Sequence, residues 1–319
     1  MSLNTRIKRK KELREEYVEQ NGLIFQLPDE TLLSIFKNLK TDELIPIAGV
    51  CKWFHRIAYD EEFWTTIDLS SKNYSNRVLL KFLRRFPRDC TEVLKISGGL
   101  VFSSAGKPPP FTEQLNTLIK TSYPNLRYLY LSRYDFHVNQ NAIKNIAFLP
   151  SKLHGLYLNK CEMLTTNISS VQNFLEPPIE FRNDPARKVY FRELQKLSFE
   201  NSSCLKPDSL GCLTNLCSNL VELNLNGCFR ITPTNVFIQT LLKYSNTLRR
   251  LYLSETKIDD NAIHSICRKL KRLNILDIKD CQYVTENIVE NLLTLRQLQK
   301  LIVNDNIRNA YIQRKNEEN

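Results

Sequence analysis

A six-residue pattern, Leu-x-x-Leu-x-Leu with another apolar residue allowed at its last place, returns seven times and leaves few folds open to this chain. It runs through Leu126, Leu129 and Leu131, then Leu153, Leu156 and Leu158, then Leu194, Leu197 and Phe199. Leu220, Leu223 and Leu225 follow, then Leu248, Leu251 and Leu253, then Leu273, Leu276 and Ile278, and finally Leu298, Leu301 and Val303. Successive starts lie 27, 41, 26, 28, 25 and 25 residues apart, and all but one fall in the window of roughly 20–29 residues typical of a strand-and-helix solenoid repeat. Each repeat reads as a short strand, a turn and a helix that returns the chain. No such unit buries its apolar face alone, so neighbours must stack into one core. Two further strand signals lie upstream, Ile67-Asp68-Leu69 and Val93-Leu94-Lys95-Ile96. Between them Val78, Leu79, Phe82 and Leu83 have helical spacing.

The pattern resembles that of leucine-rich repeats. Eight positions after each starting leucine stand Tyr134, Cys161, Ser202, Cys228, Thr256, Cys281 and Asn306. In the leucine-rich-repeat family that position holds Asn or Cys, whose side chain turns inward and bonds stacked backbone groups. The resemblance therefore accounts for three of the nine cysteines without any thiol chemistry. The long gap holds an insertion at residues 171–193 with Pro177-Pro178 and Asn183-Asp184-Pro185, and insertions in a solenoid map to surface loops on one face. The array is short and is expected to form an arc. Residues 304–319 turn polar, as a frayed end or a terminal cap.

Ahead of the repeats, residues 25–66 have a different texture. Leu32, Ile35, Phe36 and Leu39 follow i, i+3, i+4, i+7 spacing, as do Leu44, Ile47, Ala48 and Cys51. Val50, Phe54 and Ile57 repeat the period a third time. Three short helices are predicted, with Asp29 and Asp42 as N-caps and Pro46 in a first turn where backbone N–H groups lack partners. Leu33, Ile45 and Trp53 lie off these stripes. About 40 residues do not bury so much apolar surface among themselves. The surplus must cover the neighbouring domain or meet a partner.

From Leu27-Pro28-Asp29-Glu30 through Val50-Cys51-Lys52-Trp53-Phe54 to Phe63-Trp64, the stretch resembles the F-box. With Gly227-Cys228-Phe229-Arg230 and Asp280-Cys281-Gln282-Tyr283, it resembles the F-box/leucine-rich-repeat family. That resemblance implies an α/β fold, a three-helix F-box followed by a solenoid arc with parallel strands inside and helices outside. It implies docking on the adaptor Skp1 and, through it, on a cullin–RING core, as the substrate-recognition subunit of a ubiquitin ligase. Carried over by position, Leu27, Pro28, Ile35, Phe36, Leu44, Val50, Cys51 and Trp53 would meet the adaptor. A repeat scaffold that binds Skp1 without a ligase role is the alternative.

Residues between the repeat leucines project from the open side of the strands. Tyr128, Tyr130, Tyr157, Asn159, Glu222, Asn224, Arg250, Tyr252, Asp277 and Lys279 therefore form the candidate face for a protein substrate. Tyr and Arg are common at binding hot spots. A solvated sheet face is the plain alternative for these residues.

Totals narrow the remaining classes. The chain has 319 residues, 45 Lys and Arg against 34 Asp and Glu, and a formal charge of +11. Nucleic acid is the class such a balance raises, but the cations are scattered. Many sit where helices should end, as in Arg249, Arg250, Arg268, Lys269, Lys271 and Arg272, where they would complement the helix dipole. Acidic protein segments fit better. Residues 1–24 open with Arg6-Ile7-Lys8-Arg9-Lys10-Lys11, a solvated mixed-charge helix or tail that also resembles a nuclear import signal. No apolar run reaches 18 residues, so no membrane span is expected. Scattered cysteines fit a reducing compartment, cytoplasm or nucleus. His55, His137, His154 and His264 complete no catalytic motif, and Cys204, Cys212 and Cys217 follow the repeat pattern. No catalytic residue, metal or cofactor is expected.

Overall fold

In the computed structural model, the described residues are 23–86, 89–99, 108–136, 153–162, 193–203, 205–214 and 217–317. Residues 1–22 of the basic segment, residues 171–192 of the insertion, His137, Cys204 and the side chain of Cys212 lie outside them. After a 3-10 turn at Leu23–Gln26 come α1 (Asp29–Phe36), α2 (Thr41–Ala48) and α3 (Lys52–Ala58). Then follow β1 (Thr66–Leu69), α4 (Asn76–Leu83), β2 (Val93–Ser97), α5 (Glu113–Ser122), β3 (Tyr128–Ser132), β4 (Gly155–Asn159) and β5 (Lys196–Ser198). The array continues through α6 (Pro207–Thr214), β6 (Glu222–Asn224), α7 (Asn235–Leu242), β7 (Arg250–Tyr252), α8 (Asp260–Lys269) and β8 (Ile275–Asp277). It ends with α9 (Val289–Leu293), β9 (Lys300–Ile302) and α10 (Asp305–Glu317).

The described strands form one parallel sheet in chain order, β1 to β9. Register is set by the leucines. Leu94, Leu129, Leu156, Leu197, Leu223, Leu251, Leu276 and Leu301 stand side by side across eight strands. Leu94 through Leu276 in that row are at most 3% exposed, and burying each such side chain is worth about 1.5–3 kcal/mol. A slip of one residue would turn the whole row to the solvent side. Helices back the sheet, and four of them start on a capping side chain. Ser75, Thr112, Thr234 and Asp259 accept from the backbone N–H three residues on, satisfying donors that the first turn leaves open.

Two ladders run through the turn after each strand. The residue seven places after the starting leucine has positive φ in six repeats: Arg133, Lys160, Asn201, Gly227, Glu255 and Asp280, at 56–71°. This left-handed step costs an ordinary residue about 1–2 kcal/mol, so it persists because the stack dictates it. Its N–H donates to a carbonyl of the next repeat, as in Arg133 to Asn159, Lys160 to Glu200, and Gly227 to Ser254. The next side chain then donates backwards. Cys161 bonds the Leu131 carbonyl at 3.3 Å, Ser202 that of Leu158 at 2.9 Å, Cys228 that of Phe199 at 3.1 Å and Cys281 that of Leu253 at 3.1 Å. Each acceptor lies five places after the start of the preceding repeat. Thr256 departs, bonding the Leu253 carbonyl of its own repeat. Tyr134 departs too, with a buried hydroxyl and its ring edge-on to Phe111. Asn306 falls on α10 and bonds Glu286. The polar residues after Asn304 form that helix, which rests on α9 with Ile307 buried.

Helices α1–α3 cap the start of the array. Thr41 reaches the open edge of β1, donating to the Thr66 carbonyl at 3.5 Å and accepting from the Asp68 N–H at 3.2 Å. Trp64 is fully buried, stacks on Tyr59 and lies 4.4 Å from the Phe86 ring. Its indole N–H donates to the Ala58 carbonyl at 2.8 Å. One hydrophobic core runs from α1 to the last repeat.

Gly227 is the glycine of the turn ladder, at φ +71°, and a Cβ built there would lie 2.1 Å from the Asn201 side-chain oxygen. Gly227→Ala is expected to lower the unfolding free energy by about 1–2 kcal/mol, measured by urea denaturation.

Candidate functional site

Two surfaces carry the candidate residues. The first is the helical cap. The two aspartates predicted as caps do other work. Pro28 and Lys40 occupy the N-cap positions, with no side-chain cap bond. Asp29 instead clamps α1 to α3, accepting from the Trp53 indole at 2.8 Å and the Arg56 guanidinium at 2.7 Å. Asp42 is buried and paired with Lys72 at 2.6 Å, and this hydrogen bond raises the lysine's pKa. At the start of α2 the Glu43 side chain reaches back to the Lys40 N–H at 2.8 Å. Pro46 therefore falls in the second turn of α2. There it removes the N–H that would have met the Asp42 carbonyl.

Burial divides the eight residues expected at an adaptor contact. Phe36, Leu44 and Trp53 are 3%, 2% and 1% exposed. Their carried-over role is corrected: they build the core, because Trp53 and Phe54 fill the angle between α1 and α3. Val50 is 63% exposed and Ile35 43%. Pro28 is exposed, while Leu27 and Cys51 are half-buried. Cys51 caps α3, its sulfur accepting from the Phe54 N–H at 3.4 Å. Ile24, 45% exposed, belongs with the outward residues. Its signal in the sequence was an isoleucine three places ahead of the motif. The off-stripe residues are therefore covered by the chain itself, Trp53 fully and Leu33 and Ile45 in part, and the aliphatic residues left facing water, Ile35 and Val50, come from the predicted stripes.

The second surface is the open face of the sheet. Register puts Lys95, Tyr130, Tyr157, Ser198, Asn224, Tyr252 and Asp277 in one row. Tyr130 and Tyr157 stack at 4.0 Å with planes 6° apart. Burial, followed by hydrogen bonding to Tyr130, holds the Tyr157 hydroxyl well above the usual tyrosine range. Tyr128 lies one step along β3, and Gly155 leaves room for both rings. A Cβ at Gly155 would meet Tyr128 at 2.6 Å and Tyr157 at 3.0 Å. Two ammonium groups bracket this aromatic group, Lys95 at 5.4 Å from the Tyr130 ring and Lys196 at 5.5 Å from the Tyr128 ring. Lys95 also pairs with Asp68 at 3.3 Å. Burial would raise the Asp68 pKa, but hydrogen bonds from Ser70 and the Lys95 charge outweigh it and bring the carboxyl below its usual value.

Beyond the tyrosines the face turns polar. Ser198 donates to Asn159 at 2.7 Å, and Arg250 pairs with Glu222 at 2.8 Å. Tyr252 stands apart from the stacked pair, separated by Ser198 and Asn224, and burial raises its pKa. Lys279 is exposed. Asp277 needs correcting as a contact residue. It is 7% exposed and holds the sheet together, accepting from the Asn226 amide at 3.1 Å and the Lys279 N–H at 3.2 Å.

Among the described residues no three His, Cys, Asp or Glu side chains converge as a metal site, and no helix is long and apolar enough to cross a membrane. His55 stacks on Tyr59, and His264 bonds Asn291 at 2.8 Å.

The F-box-like family model matches residues 24–70. The F-box/LRR-repeat protein 12 of Mus musculus is 27% identical over 249 residues, covering 78% of this chain and 69% of that protein. The Homo sapiens protein of the same name matches to the same extent. Among solved structures, a chain from the crystal structure of the Rad7 and Elc1 complex in yeast has a TM-score of 0.49 at 18% identity, over 95% of this chain and 67% of that one. Internalin C2 of Listeria monocytogenes has a TM-score of 0.34 at 20% identity, covering 51% of this chain and about half (54%) of its own length.

Burial pushes the thiols of Cys161, Cys217, Cys228 and Cys267 up to about 12. At pH 8 roughly one in ten thousand of each is thiolate, the form that reacts. Iodoacetamide is expected to label half-buried Cys51 well before these four, as read by peptide mass mapping. Equal rates would mean that the repeats open.

Proposed function

We propose that this chain, an F-box/leucine-rich-repeat protein, is a non-catalytic substrate receptor of a Skp1–cullin–F-box ubiquitin ligase. The observation that carries the reading is the unsatisfied apolar surface of the cap. Ile24, Ile35 and Val50 remain 45%, 43% and 63% exposed on a module whose Leu32, Phe36, Leu44, Trp53 and Ile57 are packed into the core it shares with the array. Aliphatic side chains kept in water beside a core that buries their neighbours fit a site for a second polypeptide. In this reading Leu27, Pro28, Ile35, Val50 and Cys51 meet the adaptor, with Ile24 beside them. Phe36, Leu44 and Trp53 set the shape of that surface from beneath.

The solenoid is the receptor arm. A cap that shares its core with the array fixes the distance between adaptor and target. Ubiquitin transfer then gains from proximity and orientation without any reacting group on this chain. Tyr128, Tyr130 and Tyr157 are the centre of the target face. Tyrosine offers large contact area at low entropic cost, and stacking has already fixed two of these rings.

Ile35→Asp with Val50→Asp is expected to abolish co-purification with Skp1 and to shift unfolding by no more than about 1 kcal/mol, about 0.5 for each exposed position. Trp53→Ala should instead cost about 3–5 kcal/mol. Retained Skp1 binding in the double variant would remove the adaptor from this surface. Co-purification of a cullin separates a ligase subunit from a scaffold that holds Skp1 alone. Tyr130→Ala with Tyr157→Ala is expected to weaken target capture at least tenfold, followed by crosslinking mass spectrometry of the adaptor complex, with Skp1 binding unchanged. Target crosslinks at their original yield would move the receptor site elsewhere.

A further inference from the structure

The geometry points to a third binding surface, a basic strip along the edge where β7, β8 and β9 begin, that takes an extended acidic polypeptide segment. It stands independently of the adaptor-and-target reading. Residues 243–249, 268–274 and 294–300 contain Lys243, Arg249, Arg268, Lys269, Lys271, Arg272, Arg296 and Lys300 and neither Asp nor Glu. The helix dipole answers for Arg268 and Lys269, which lie in the last turn of α8. Arg250 is answered by Glu222. Arg249, Lys271, Arg272 and Arg296 are explained by neither.

The turns that carry them lie side by side. Asn274 N–H bonds the Arg249 carbonyl at 2.7 Å, and Gln299 N–H bonds the Asn274 carbonyl at 2.8 Å. Successive turns are thus one strand spacing apart, about 4.8 Å. Arg249 and Arg272 converge further, both donating from Nη1 to the Asn246 carbonyl, at 3.2 and 3.1 Å. Two like charges are held on one oxygen, an arrangement that repels in the free protein and is relieved by an anion. Within the described residues the Nε and Nη2 groups of these two arginines donate to no protein atom, which leaves fork edges suited to carboxylates. Lys271 and Arg296 extend the strip along a groove of about 730 Å³. Glu290 also lines that groove and lies 3.5 Å from Arg314.

Charge complementarity selects an anion, and the absence of an exposed ring among the described residues of these turns favours a peptide over single-stranded nucleic acid. Tyr244 is the aromatic residue of these turns; it is 2% exposed, and its hydroxyl bonds the Cys217 carbonyl at 2.8 Å. Single-stranded nucleic acid draws affinity from stacking its bases on exposed rings. An extended chain presents same-side residues about every 6.4–6.8 Å, so a short run of acidic residues spans the strip.

The test is fluorescence anisotropy of a labelled octaglutamate peptide titrated with the full chain at low salt. Binding is expected, falling as salt screens the charges. Arg249→Gln with Arg272→Gln should weaken it at least tenfold, and Arg77→Gln with Lys81→Gln on α4 should leave it unchanged. If the first pair lowers the unfolding midpoint, Lys271→Gln with Arg296→Gln gives the same readout without touching a backbone bond. No binding, equal affinity in the strip variants, or an equal loss in the α4 variant overturns the strip. Tighter binding of oligothymidylate or of phosphatidylserine vesicles at the same salt overturns the choice of a polypeptide.

Discussion

Lateral pairing of parallel strands in one register is what everything else in this molecule rests on. A strand of three to five residues holds no structure by itself. Its leucines find cover only when the next repeat presents leucines at the same height. The alignment of Leu94 through Leu276 across consecutive strands meets that condition. The turn ladders then tie each repeat to the next with backbone and side-chain hydrogen bonds. That tie explains why Arg133, Lys160, Asn201, Glu255 and Asp280 accept a left-handed conformation that none would choose alone. Stability in such an array is close to a sum over neighbours, so its ends are its weak points.

The two ends are treated differently. At the start, α2 reaches the edge of β1 through Thr41, and Trp64 ties the helices to the first repeat. An open edge strand would invite pairing with other chains, and the cap blocks it. Burying Phe36, Leu44 and Trp53 to make the cap leaves Ile24, Ile35 and Val50 outside. Closing the solenoid and presenting an apolar surface are thus two faces of the same three helices. At the far end α10 rests on α9 with little apolar area; Leu301 is only partly buried where its counterparts are fully so.

Much of this was legible beforehand because periodicity reports burial directly. The seven leucine motifs became β3 to β9, and the two weaker signals upstream became β1 and β2. The inward bonding of Cys161, Cys228 and Cys281 followed the family resemblance. Errors gathered where one residue had two competing partners. Asp29 and Asp42 have the chemistry of helix caps, but Trp53, Arg56 and Lys72 come from elsewhere in the chain and take those carboxylates. Asp277 sits at an outward position of its strand, yet Asn226 and Lys279 close over it. Arg249 and Arg272 read as helix-end charges, although they lie beyond helix ends and meet at one carbonyl.

The sequence by itself determined the class of fold, the repeat boundaries, the three cap helices and the set of side chains on the open face. Those follow from local spacing, which survives whatever the rest of the chain does. Only the tertiary structure decided which apolar residues of the cap face out, which tyrosines touch and which cations lack a counter-charge. These depend on contacts between residues more than twenty positions apart, such as Tyr130 with Tyr157 or Arg272 with Asn246. Distances of that kind are fixed by how repeats stack, and a linear pattern carries no record of them.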